Sequence, residues 1–357
     1  MNWIKRLIHN DSNIFDLSPL EEGGSGVAAQ IPLFAPSLPD EEMPVVRPTS
    51  PFVPFIIAIG SGKGGVGKSV ISSTLGILLA QQGEKVLLVD ADLGAANLHT
   101  FLGSGNGETS LADFFKGESQ TIEGFIEKTS IPGLDLVSGM QDVHRDAADL
   151  GGKRIGVLQQ ALRSTEYDYV LLDVGPGTAS NTLAIFMIAD EGIVVTTPEP
   201  TSIENSYRFL NCLFLKMLKR NISVQKNEEL RSLLHRVLEG RKGKGARTIA
   251  ALTARIREID ERQGKALEAA MGRTALSIVI NQVKRNGDGD IGHMMERACY
   301  DFFGIDVHHL ATIDYEDCVV DSVRARRPLG IYRRESQAVR KLEGVMKSLV
   351  QKRREHV

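Results

Sequence analysis

The chain has 357 residues, 42% of them hydrophobic and 24% charged, with a formal net charge of −3. That length accommodates one large α/β domain plus appendages, and the slight acidic excess carries no global footprint for nucleic acid. Cys212, Cys299 and Cys318 stand far apart without CxxC spacing. This argues against a disulfide framework, a zinc knuckle or a cluster held by close cysteines, and it fits a reducing cytoplasm. Membrane spans of ~18 apolar residues are absent, and the opening MNWIKRLIH lacks the apolar core and cleavage site of a secretion signal. A cytoplasmic protein is expected.

Residues 1–54 differ from the rest. Trp3, Ile4, Leu7 and Ile8 make one apolar side of a short helix beside Lys5 and Arg6, which fits either a docked or frayed terminus or an anchor. Seven of the thirteen prolines then fall between Pro32 and Pro54. Proline removes a backbone donor and fixes φ, so this stretch reads as an extended linker.

From Phe55 the pattern changes. Apolar runs recur at 55–60 (FIIAIG), 85–90 (KVLLVD), 169–173 (YVLLD), 192–197 (GIVVTT) and 276–281 (LSIVIN). Strands apolar at consecutive positions are buried on both faces, so these runs predict a mostly parallel sheet covered by helices. Helical segments alternate with them; Ser69–Gln82 spaces Ile71, Leu75, Leu78 and Leu79 along one side. The alternation predicts a doubly wound α/β domain over 55–350, followed by a basic tail at 351–357. Residues 219–275 interrupt it. They are highly charged, carry an amphipathic spacing at Leu230, Leu233, Leu234, Val237 and Leu238, and break at Gly240–Gly245. A two-helix insertion is predicted, either packed on the core or serving as a partner-binding arm.

The strongest motif is Gly62-Lys63-Gly64-Gly65-Val66-Gly67-Lys68-Ser69, which satisfies G-x4-G-K-[ST] between an apolar strand and an amphipathic helix. Its glycines let backbone N–H groups turn inward around phosphates, and the helix N-terminus adds partial positive charge. Lys68 is placed to neutralise the β- and γ-phosphates of ATP, and the Ser69 hydroxyl to ligate Mg2+. Asp90 and Asp92 end the second run, and Asp173 ends the third, as in a Walker B strand. Carboxylates at the C-terminal ends of parallel strands face the phosphate side. There they hold magnesium, directly or through water, and orient an attacking water. Asp90, Asp173 and Ser69 are the magnesium candidates. Gly175 and Gly177 let the loop after Asp173 move.

KGGVGKS resembles the deviant Walker A loop of the MinD/ParA ATPases. The resemblance covers about 55–218 and 276–350, and it implies a P-loop NTPase fold. It also implies a homodimer formed on ATP binding, in which Lys63 reaches the partner's phosphates, and it makes Lys63, Lys68 and Asp92 the catalytic set, with Asp92 orienting the hydrolytic water. It puts Asn97 in the switch loop and Asn281, otherwise a turn residue after a strand, at the adenine edge. TTPEPTSIENSYRFL (196–210) and ATIDYEDCVVDSVRARRPL (311–329) are most similar to the flagellar-number regulators FlhG and FleN, and next to MinD.

That branch implies control of the position or number of a flagellum or division site, with a signal-recognition-type GTPase as partner and peripheral contact with the inner face of the membrane. Residues 1–54 show no glutamine- and arginine-containing activator motif, which leaves the partner open. Two related branches give alternatives. An Mrp-like iron–sulfur carrier needs close or symmetry-paired cysteines, and a ParA-like DNA-segregation ATPase would use a basic run such as RKGKGAR (241–247), against the acidic balance. The C-terminal segment Ser336–Lys352 places Val339, Leu342, Val345, Met346, Leu349 and Val350 along one side with basic residues around it. It reads either as a helix lying on an anionic bilayer or as the last helix of the domain.

Overall fold

Among the described residues eight strands build one sheet: β1 (Phe55–Ser61), β2 (Val86–Ala91), β3 (Glu127–Lys128), β4 (Leu134–Val137), β5 (Tyr169–Pro176), β6 (Glu191–Thr196), β7 (Ala275–Val283) and β8 (Val307–Asp314). Their order is β3-β4-β2-β5-β1-β6-β7-β8, parallel except for β3 against β4. The computed structural model describes residues 53–356 apart from 93–95, 104–108, 118, 140–149, 223–226, 239–247, 273–274 and 285–289. The apolar stretch Trp3–Ile8, the proline-rich segment up to residue 52 and the basic run 241–247 therefore lie outside the described residues.

The five apolar runs are β1, β2, β5, β6 and β7, all buried through most of their length. Alternate residues of β1 feed opposite cores, as a period of two requires. Phe55, Ile57 and Ile59 meet α1 (Lys68–Gln81), α2 (Leu98–Leu102) and α13 (Gln337–His356) on one face. Ile56 and Ala58 meet the opposite layer, built from α3 (Leu111–Lys116), α4 (Gly151–Arg163), α5 (Ser180–Phe186), α6 (Pro200–Asn221) and α10 (Ile291–Phe303). The predicted doubly wound architecture is present. β8 escaped the sequence reading because His308 and His309 interrupt its apolar pattern at the edge of the sheet.

Among its described residues the charged insertion holds three helices, not the two expected: α7 (Glu228–Leu238), α8 (Ile249–Ile259) and α9 (Glu261–Gly272). α6 also runs past the expected boundary to Asn221. A single residue, Asp260, separates α8 from α9, and its carboxylate accepts from Gln263 N–H at 3.1 Å. That turn leaves no glycine or proline to mark it. Leu230, Leu252, Ile256, Leu267 and Met271 join the main core cluster, so these helices are part of the domain's packing.

The amphipathic C-terminal segment resolves in favour of the last helix of the domain. Val339, Leu342, Val345, Met346 and Leu349 of α13 are all buried in the core. Its basic end is ion-paired where a free tail was expected. Arg353 pairs with Glu84 at 3.1 Å and with Asp168 at 2.9 Å, and its guanidinium lies 4.7 Å from the Tyr169 ring centre. Among the described residues no helix is long and apolar enough to cross a membrane.

Because Ile256 is fully buried against the main core, Ile256→Ala should cost about 2–5 kcal/mol. Urea unfolding followed by circular dichroism measures this; a change within about 0.5 kcal/mol would show that the insertion folds apart from the core.

Candidate functional site

The site is assembled where β1, β5 and β2 end side by side. The parallel register sets Ile59 beside Asp173 and Asp173 beside Asp90. The chain leaves β1 through residues 62–67 and enters α1 at Lys68. Two glycines serve this loop for different reasons. Gly67, the N-cap of α1, has φ 94, a left-handed conformation that a side chain rarely adopts. Gly62 has no such φ, but a Cβ there would overlap the backbone of Asn205 on α6.

The two lysines of the motif occupy different environments. Lys68 is buried, and burial lowers its pKa while the Asp173 and Asp92 carboxylates oppose that shift. Lys63 is exposed at the surface, its Nζ 3.5 Å from Thr201 Oγ1 and 3.9 Å from Glu199 Oε2 at the start of α6. Neither Thr201 nor Glu199 was foreseen as a partner of the loop. The segment TTPEPTSIEN had been singled out for its resemblance, but nothing in it points to Lys63.

Asp173 is buried and its pKa is raised by burial, an effect offset by hydrogen bonds from Ser69 and Ser72 and by the charge of Lys68. Ser72 Oγ lies 2.8 Å from Asp173 Oδ1 and 2.7 Å from the Lys68 carbonyl, one helical turn back. Asp90, also buried, is pushed up to about 7, first by burial and then by the neighbouring Asp173. Its two oxygens accept from Asp92 N–H at 3.2 Å and Leu98 N–H at 2.9 Å. Asp90 thus braces the segment between β2 and α2, a role that the magnesium assignment had not included. Asp92 lies half-buried beside the end of β5, where a Cβ on Gly175 would come within 3.0 Å of Asp92 Oδ1. Asn97 is exposed at the N-cap of α2. Asn281, at the end of β7, donates from Nδ2 to the Val66 carbonyl at 2.8 Å, which places it against the loop itself.

The donor set suits magnesium. A hard dication takes oxygen ligands, usually one or two carboxylates together with phosphates and water. Here burial raises the pKa of both Asp90 and Asp173, and at Asp90 the neighbouring Asp173 adds to it, so a dication at this point would favour the ionised carboxylates. Ser69 is hydrogen-bonded to Asp173, which brings a hydroxyl and a carboxylate to the same point. The cysteines lie elsewhere and on three separate helices: Cys212 on α6, buried Cys299 on α10 and Cys318 on α11 (Asp317–Arg324). Burial pushes the Cys299 thiol up to about 12, which keeps it protonated and unreactive.

A parallel sheet with a glycine-rich loop and helix N-terminus at its open end, and acids on the neighbouring strand ends, defines a P-loop nucleotide-binding protein. A family model described as an AAA domain matches residues 55–230. The septum site-determining protein MinD of Helicobacter pylori is 32% identical over 176 residues, 48% of this chain and 65% of that protein. The flagellum site-determining protein YlxH of the same organism is 36% identical over 158 residues, 42% of this chain and 51% of that protein. Both matches therefore span less than two thirds of the relative's length. The structure of MinD from Pyrococcus horikoshii, complexed with Mg-ADP, shares the fold with a TM-score of 0.56 at 21% identity, over 83% of this chain and 95% of that one. In sequence the chain is thus similar to MinD and to a flagellum site-determining protein, and in fold to the MinD/ParA ATPases.

The two glycine environments separate in mutants. Gly62→Ala must displace α6 and should destabilise the protein by about 1–3 kcal/mol. Gly64→Ala, whose Cβ would meet only Pro176 at 3.9 Å, should stay within about 0.5 kcal/mol of wild type. Chemical denaturation of both variants checks the contrast.

Proposed function

We propose that this protein is a switch ATPase: it binds ATP with Mg2+ at residues 62–69, pairs with a second copy in that state, and resets on hydrolysis. The observation that carries the reading is the separation of the two lysines. Lys68 is committed to its own site by burial beside Asp173, whereas Lys63 reaches outward to the surface groups Thr201 and Glu199. A cation held so weakly at the surface is available to the phosphates of an opposing subunit. Exposed ion pairs of this kind contribute about 0–1 kcal/mol, so exchanging Glu199 for a triphosphate costs little.

Within the site, Lys68 and the loop N–H groups hold the phosphates, while Ser69 and Asp173 hold the metal, with Asp90 behind them. Magnesium held there would neutralise charge on the phosphates. Asp92 would orient the attacking water. Asn281, whose Nδ2 is bonded to the Val66 carbonyl, would meet the edge of the base from the end of β7. Gly175 and Gly177 allow the loop after β5 to answer loss of the terminal phosphate. The names of the relatives support a role in fixing the position or number of a flagellum or division site, with a protein partner for the paired form.

Lys63→Ala should keep nucleotide binding but lose pairing-dependent turnover; sedimentation and phosphate release measured together report this. Full turnover in Lys63→Ala would end the trans-lysine reading. Asp92→Ala should accumulate the ATP-bound pair with hydrolysis reduced at least ~100-fold. Mg-ATP at about 100 times its Kd should add about 2.7 kcal/mol of stability. Chelating the metal should remove most of that gain, as seen in the thermal midpoint.

A further inference from the structure

The pairing of β7 with β8 shifts register twice: between Ile278 and Val279, and again after Ile280, which pairs with Thr312 while the next pair is Val283 with Asp314. Two residues of β7, Asn281 and Gln282, therefore stand opposite one of β8, which makes a bulge. Gln282 adopts φ 59, a left-handed conformation that is unfavourable for a residue with a side chain and is usually kept only where its surroundings demand it. In a regular strand, successive side chains point to opposite faces, so two neighbours cannot reach one loop. Here they do. Asn281 Nδ2 donates to the Val66 carbonyl at 2.8 Å, and Gln282 Nε2 donates to the Gly65 carbonyl at 3.0 Å. Gly67 makes room for them, since a Cβ there would overlap Asn281 Nδ2 and lie 3.8 Å from Gln282 Nε2.

The consequence follows from the planarity of the peptide. In a trans peptide the C=O and the next N–H point in opposite directions. Holding the Gly65 carbonyl outward turns the Val66 N–H the other way, and holding the Val66 carbonyl does the same for the Gly67 N–H. We infer that Gln282, together with Asn281, is a positioning residue for phosphate binding: the bulge in β7 sets two consecutive peptide planes of the loop so that their N–H groups face the phosphates before nucleotide arrives. This rests on the reading of residues 62–69 as a phosphate site and adds a pair of side-chain amides that orient it from the strand side. Asn281 alone was singled out in the sequence, and for a contact with the base. Gln282 carries no motif, and its role appears only through the bulge.

Two substitutions separate positioning from stability. Gln282→Glu keeps length and backbone cost but replaces the donating amide with a carboxylate facing a carbonyl. Gln282→Gly removes the amide and relieves the left-handed strain. Calorimetric titration of the full chain with Mg-ADP should show both variants binding about five- to tenfold more weakly, the worth of one hydrogen bond. In turnover, KM for ATP should rise by a similar factor with kcat little changed. The thermal midpoint of nucleotide-free Gln282→Gly should equal or exceed that of wild type, which a purely structural role for the amide would not allow. Wild-type affinity for Mg-ADP in both variants, or a parallel fall of stability and affinity in Gln282→Gly, would overturn the inference. Failure of the unaltered chain to bind Mg-ADP would instead remove the phosphate site on which it rests.

Discussion

A buried lysine and a buried aspartate share the space beneath the loop, and the rest of the site is arranged around that pair. Neither charge is stable alone in such surroundings, because leaving water penalises both. Lys68 and Asp173 offset each other, and Ser69 and Ser72 supply hydrogen bonds that favour the ionised carboxylate against burial. Asp90 stands in register with Asp173, and burial together with that neighbour pushes its pKa up to about 7. Two buried acids raised in this way are relieved by a cation, so the site suits a metal and a polyphosphate that arrive together. Each would be repelled or underpaid alone.

The two ends of the sheet are treated differently. At the amino ends of the strands, charges are matched in close pairs. Arg163 grips Asp190 at 2.6 Å, Lys352 meets the fully buried Glu191 at 2.7 Å, and Arg353 joins Glu84 and Asp168. At the carboxyl ends, acids and amides are gathered around a loop that has its own donors to offer. Helices on both faces make the strands between these ends inaccessible to water, so the open end is where ligand charge can be accommodated. The last helix contributes to this division through its basic end, which closes the amino side of the sheet while its apolar stripe fills the core.

α6 links the loop to the charged insertion. Its first turn carries Thr201 beside Lys63, its backbone at Asn205 abuts Gly62, and its apolar side packs in the same cluster as the insertion helices. A change at the loop therefore meets a continuous, well-packed helix, and the insertion lies on the same layer. β7 makes a second link, from the far side of the loop, through the paired amides of Asn281 and Gln282. The loop is thus held from two directions by elements that are themselves buried.

The nucleotide loop, five of the six inner strands and the helix after the loop could all be read from the sequence, because each has a local signature; β4, only four residues long, has none. Glycine spacing specifies a phosphate cradle, and runs of apolar residues specify strands with two covered faces. Lys68 and Ser69 were read from the loop motif, and Asp90, Asp92 and Asp173 from their places at or just past the ends of those strands. The three-helix form of the insertion was hidden, since Asp260 turns the chain with a side-chain hydrogen bond that polar helices also contain. An amphipathic C-terminal helix reads the same whether its apolar side meets lipid or a sheet, and only packing against the core decides between them. Likewise, no sequence pattern separates a strand that ends at Asn281 from one that bulges there, because a single extra residue in one ladder is a property of two strands together.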